Sequence, residues 1–167
     1  MTLYLMCGLA YAGKSTLAAA ISRRVRADVI SLDELNAARG LHGGSGIPVE
    51  EWARTHRDAL VLVENALRTG RDVIVDDTNC LRFLRDNYRA VARRCGAETI
   101  VIYVDAPASV AIDRLRANER TGARAAVTRA VMHDLIEKFE VPQADEPTLV
   151  VPAGADPELW IAEYLPR

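Results

Sequence analysis

The sequence has no long hydrophobic run. None of its apolar stretches nears the roughly 20 residues a helix needs to cross a bilayer, so no membrane-spanning segment is expected. It also lacks a basic leader followed by an apolar stretch and a small-residue cleavage site. MTLYLMCG leads straight into a glycine motif, which predicts no secretory signal peptide. Cysteine is scarce: Cys7, Cys80 and Cys95 are an odd set without metal-like pairing, expected to be reduced thiols in a cytoplasmic protein. Neither sign of charge prevails. Lys and Arg total 21 against 23 for Asp and Glu, a net charge of -2, which argues against a nucleic-acid-coating or membrane-coating surface. Repeats, linkers and low-complexity tracts are missing as well. What is left is 167 residues, half of them hydrophobic, enough to close one core and read as a single domain over residues 1–167.

Short apolar runs alternate with helical stretches along the whole chain. Strands are predicted at residues 3–7, 29–32, 72–76, 99–104 and, more weakly, 148–151. Helices are predicted at 17–25, 33–39, 48–69, 81–95, 107–119, 129–139 and 156–165, several of them stopped by glycine: Gly40, Gly70 and Gly96. The strands have no polar face, as expected where helices cover both sides of a parallel sheet, so the class is α/β.

The first strand is followed by GLAYAGKST, residues 8–16, which matches G-x4-G-K-[ST] between a strand and a helix. Glycines let the backbone wrap and turn its N–H groups inward, and the helix adds its positive end. Such a cradle binds nucleotide phosphates through Gly8, Ala10, Tyr11, Ala12, Gly13, Lys14, Ser15 and Thr16. Lys14 reaches the β and γ phosphates, and the Ser15 hydroxyl ligates Mg²⁺.

Ligands of open parallel sheets bind beyond the carboxyl ends of the strands, and acids cluster there. Asp33 follows the second strand, Asp76 and Asp77 the third. An acid beside a phosphate site either holds the metal or takes a proton from an attacking hydroxyl. Asp33 also fits a helix N-cap. Either acid of the pair, or Thr78 or Asn79, fits a cap of the next helix. Adjacent residues in an extended backbone point apart, and Asp76, the last of the strand, is the choice for Mg²⁺. Arg116 and Arg120 share a helix face, and Arg124 and Arg129 flank a Gly–Ala stretch, which together suggest a lid over residues 114–130. Arg82, Arg85, Arg89 and Arg93 form a second stripe. Its first two members are positioned either for an anionic acceptor group or simply for solvent. His42 and His56 read as ordinary residues of the insertion between the second and third strands, and Phe139, Pro142 and Trp160 as packing.

The chain resembles the small P-loop kinases of the polynucleotide kinase and zeta-toxin type, over nearly its whole length. The resemblance is carried by the P-loop, Asp33, the segment Asp76-Asp77-Thr78-Asn79, the pair Arg116 and Arg120 with Arg124 beyond, and Phe139, Glu140, Pro142 and Glu146. It implies a five-stranded parallel sheet in the order 2-3-1-4-5, ATP and Mg²⁺ as cofactors, Asp33 as general base, and an acceptor side formed in part by Asp77, Thr78 and Asn79. Two departures stand out. Polynucleotide kinases of this type carry an arginine three residues after the base; here that position is Asn36, and Arg39 is the nearest arginine. Tyr11 and Ala12 stand where glycine and serine are common. The expectation is therefore phosphate transfer to a hydroxyl of a small molecule such as a sugar, nucleoside-like metabolite or antibiotic, with Asn36, Arg39, Arg82 and Arg85 on the acceptor side. The alternatives are a polynucleotide 5′-hydroxyl kinase and, in another class, a nucleotide-dependent switch. A monomer or homodimer is expected.

Overall fold

Leu3, Leu5 and Cys7 alternate with Tyr4 and Met6 in β1 (Thr2–Cys7), and all five are buried. A strand apolar on both faces needs cover on both sides, and this one lies at the centre of the sheet. The computed structural model describes residues 1–42, 46–123 and 127–165. Four further strands follow: β2 (Asp28–Ser31), β3 (Val73–Asp76), β4 (Glu98–Asp105) and β5 (Thr148–Pro152). All neighbours are parallel, in the expected order β2-β3-β1-β4-β5. The proline that closes β5 sits on an edge strand, where a missing N–H costs no ladder bond.

One face packs Tyr4, Met6, Ile74 and Ile102 against α1 (Lys14–Val25) and α7 (Pro157–Tyr164). The opposite face packs Leu3, Leu5, Val73 and Val75 against α3 (Val49–Arg68) and α4 (Arg82–Arg94). Helix α2 (Leu32–Ala37) follows β2 directly. Helices α5 (Ala108–Thr121) and α6 (Arg129–Lys138) form a separate small cluster, Ala111, Leu115 and Met132, which rests on Leu9, Ala10 and Tyr11 of the P-loop. Helices α5 and α6 are thus seated on the P-loop by apolar contact. Among the described residues no helix is long and apolar enough to cross a membrane.

Two expectations need correction. The second strand ends at Ser31, not Leu32, so Asp33 lies inside the first turn of α2. The N-cap is Ser31, whose hydroxyl accepts from the Glu34 N–H at 3.3 Å. None of residues 76–79 caps α4: its N-cap is Leu81, and the Glu140 carboxylate accepts from the Arg82 N–H. An acid 58 residues away in sequence serves that helix end.

Candidate active site

The cradle is built against the tip of β4. A Cβ on Gly8 would lie 2.8 Å from the Val104 carbonyl oxygen, so only glycine lets the loop leave β1 here. Gly13, at φ 105°, caps α1 without any side chain, leaving the first turn open to an anion. Tyr11 adopts left-handed backbone at φ 63°, which costs a non-glycine residue about 1–2 kcal/mol. Its surroundings hold it there. The Tyr11 carbonyl accepts from Arg114 Nη1 at 3.0 Å, and its hydroxyl accepts from Asn118 Nδ2 at 3.2 Å. Arg114 Nη1 also reaches the Ala12 carbonyl at 3.1 Å. Ser15 and Thr16 are exposed at the start of α1.

Lys14 is buried, and its ammonium donates to the Leu9 carbonyl at 2.8 Å. Burial pulls its pKa down; Asp77, Asp76 and Asp33 push it back up. Asp76 ends β3 in register with Ser31. Burial raises its pKa, against a hydrogen bond from the Ser15 side chain and the charge of Lys14. A hydroxyl and a carboxylate oxygen meeting beside a phosphate cradle are hard donors of the kind Mg²⁺ takes. No three His, Cys, Asp or Glu side chains among the described residues form a metal cluster of their own.

Asp77 accepts from the Asn79 N–H at 3.3 Å in a local turn, and its charge is the strongest of those that push the Lys14 pKa back up. The Thr78 carbonyl accepts from the Gly8 N–H at 3.1 Å, stitching this loop to the P-loop. Asn79, expected at the acceptor, is instead fully buried. Its Nδ2 donates to the Met6 carbonyl at 2.8 Å and braces the loop against β1. Asp33 is exposed on α2, and its charge registers at both Lys14 and Asp76, so the three acids share one edge of the sheet with the lysine.

The arginines divide differently from expectation. Arg85, expected at the acceptor, is fully buried in a bidentate pair with Glu146 at 2.7 and 2.9 Å, and it donates to the Asn79 carbonyl at 2.9 Å. Arg82 pairs with Asp145 and Asp86. Both tie α4 to the segment before β5. Asn36 is buried as well: its Oδ1 accepts from the Thr55 hydroxyl at 2.5 Å and from Arg39 at 3.1 Å. Arg39 also bonds Asp58 at 3.1 Å, the Thr55 hydroxyl and the Glu51 carbonyl, so these two residues knot α2 to α3. Arg116 is exposed and pairs with Asp113 at 3.3 Å, and Arg120 is exposed. Arg124, and part of the glycine-rich loop at residues 43–45, lie outside the described residues. Among the described residues the α5 arginine in contact with the P-loop is Arg114, which sequence reasoning missed. Ala111 and Leu115 mark the buried face of α5, and Arg114 and Asn118 precede and follow Leu115 on that side.

Residues 3–142 match the AAA domain family. Among solved structures, a gluconokinase from Sinorhizobium meliloti 1021 is similar at 18% identity and a TM-score of 0.68, over 97% of this chain and 88% of that one. The APS kinase CysC of Mycobacterium tuberculosis, solved with AMPPNP and APS, is similar at 20% identity and a TM-score of 0.70, over 97% and 94%. Kti12 of Chaetomium thermophilum, solved with ADP-AlF3, gives 20% identity and a TM-score of 0.71, over 96% and 94%. The comparison with curated proteins found no match. The architecture is therefore that of the P-loop kinases: a five-stranded parallel sheet between helical layers.

Proposed function

The chain belongs to the AAA domain family, and from that premise we propose that it is an ATP-dependent phosphotransferase acting on a hydroxyl of a small molecule. The observation that carries the reading is the complete cradle, with Lys14 and a Ser15–Asp76 pair at the strand tips beside it. The names of the solved gluconokinase and APS kinase support a small-molecule acceptor. ATP lies along residues 8–16 with its phosphates against the backbone N–H groups. Lys14 turns from the Leu9 carbonyl to the β and γ phosphates. Ser15 and Asp76 would hold Mg²⁺, which when bound would neutralise phosphate charge.

The acceptor hydroxyl oxygen attacks the γ phosphorus in line. The bond to the bridging β–γ oxygen breaks, ADP departs, and Asp33 takes the hydroxyl proton. Arg116 and Arg120, exposed on α5, turn onto the transferred group as that helix closes over the cradle and excludes water. Arg39, three residues beyond Asn36, is already bonded within the α2–α3 knot, which weighs against a polynucleotide 5′-hydroxyl as acceptor.

The test is transfer from γ-labelled ATP to a panel of sugars, nucleosides, antibiotics and 5′-hydroxyl oligonucleotides. Low basal hydrolysis and sharp stimulation by one small acceptor is the expected result. Turnover that answers only to a protein partner would turn the reading into a nucleotide switch.

A further inference from the structure

Helix α3 leads into a parallel strand, so it runs against the strands and its first turns overhang the tips where the cradle lies. Ala59 and Val63 seal its lower part to the sheet. Trp52 and His56 continue the same stripe past the sheet edge. Their rings sit 6.5 Å apart, tilted by 38°, and both side chains are half-buried. His56 Nδ1 is shielded from solvent without a hydrogen-bond partner. The same holds for the buried Tyr88 hydroxyl on α4 and for Asn79 Oδ1. Native proteins rarely leave such atoms unpaired, because each costs about 1–3 kcal/mol. Asp77 registers electrostatically at both His56 and Tyr88, which puts those two groups in the field of one carboxylate and makes a polar floor shared by α3 and α4. Burial holds the His56 pKa below its ordinary value, which favours the neutral imidazole, one nitrogen donating and the other accepting.

The charges around this floor are unequal. Asp33, Asp76 and Asp77 share the edge with Lys14, which the phosphates of ATP engage. The nearby guanidiniums are already committed: Arg39 to Asp58, Arg82 to Asp145, Arg85 to Glu146. Arg54 and Arg57 lie on the exposed outer side of α3, well round the helix from Trp52. Arg116 and Arg120 are taken by the transferred phosphoryl group in the reading above, so an anionic acceptor would meet carboxylates here with no uncommitted fork among the arginines near α2, α3 and α4.

We infer that Trp52 and His56 form the acceptor wall, and that the acceptor is a hydroxyl compound without phosphate, sulfate or carboxylate, such as a free sugar, polyol, nucleoside or amino sugar. The indole offers a flat apolar face to a ring, and the imidazole and the polar floor offer hydrogen bonds to its hydroxyls. This inference rests on the kinase reading above.

The test measures kcat/KM with γ-labelled ATP for matched compounds: free sugars, polyols, nucleosides and amino sugars against their phosphorylated and carboxylated counterparts. The non-anionic members are expected to be better substrates by about tenfold or more, the value of roughly 1.4 kcal/mol. For the best of them, His56→Gln and Trp52→Phe each raise the acceptor KM several-fold and leave the KM for ATP and the melting temperature nearly unchanged. A preference for the anionic counterparts, or unchanged acceptor KM in both variants, overturns the inference and leaves the kinase reading standing. Transfer to no compound at all, with nucleotide binding intact, overturns both.

Discussion

Ionised Asp76 is held where burial opposes its charge, and the Ser15 hydrogen bond and Lys14 only partly offset that. Its pKa in the fold lies above the ordinary carboxylate value, so the stability associated with its protonated form is present at low pH and lost as pH rises through the folded value. Asp76→Asn is therefore expected to melt higher than the parent at pH 7, with the gap closing below about pH 4, while phosphate transfer is lost. Melting curves against pH, with activity alongside, check this. A variant less stable at pH 7 would make Asp76 a structural acceptor instead. At this scale the sequence located the acids well, because strand tips announce themselves. It misjudged Asp33 as a possible cap because Ser31, two residues earlier, already fills that role. It also could not tell Arg85 from a surface arginine, since its partner Glu146 lies 61 residues away.

The P-loop and α5 work as a pair. Tyr11 keeps a left-handed backbone where glycine would sit without strain, and Arg114 and Asn118 fasten it. Removing the guanidinium frees two backbone carbonyls of the loop. With charged hydrogen bonds worth about 1.5–3 kcal/mol each, Arg114→Ala should raise the KM for ATP by about tenfold or more. Steady-state kinetics at saturating acceptor would show it, and an unchanged KM would mean that the loop holds its shape unaided. The helix itself was legible, whereas its working arginine was not. Arg114, Arg116 and Arg120 look alike until the face that meets the P-loop is known, and that face is set by Ala111 and Leu115 resting on Leu9 and Ala10. Similarly, Asn36 and Arg39 were placed at the acceptor through the resemblance, by their spacing from Asp33. Contact with Thr55 and Asp58 of α3 binds them into the α2–α3 knot instead.

Across the whole molecule, alternating strands and helices gave the α/β class, and the strand order β2-β3-β1-β4-β5 is the one that the resemblance to small P-loop kinases implied. What sequence could not show is the clamp that closes it. Arg85, Arg82 and Arg89 bind α4 to residues 145 and 146, just before β5, so the far edge of the sheet is anchored to its middle. Breaking the fully buried Arg85–Glu146 pair from one side leaves a lone buried charge, at a cost of about 3–5 kcal/mol. Glu146→Gln should therefore lower the melting temperature by about 6 °C or more, and Arg85→Met with Glu146→Leu should recover much of the loss. A double variant no more stable than the single one would show that the charges, not the packing, hold this corner.

The proposed reaction depends most on a carboxylate outside the cradle serving the acceptor. Single-turnover transfer by Asp33→Asn, with ATP affinity measured in parallel, tests that directly. The expected result is an ATP Kd close to the parent's and transfer slowed by about 10²-fold or more. Transfer at the parent's rate would contradict it.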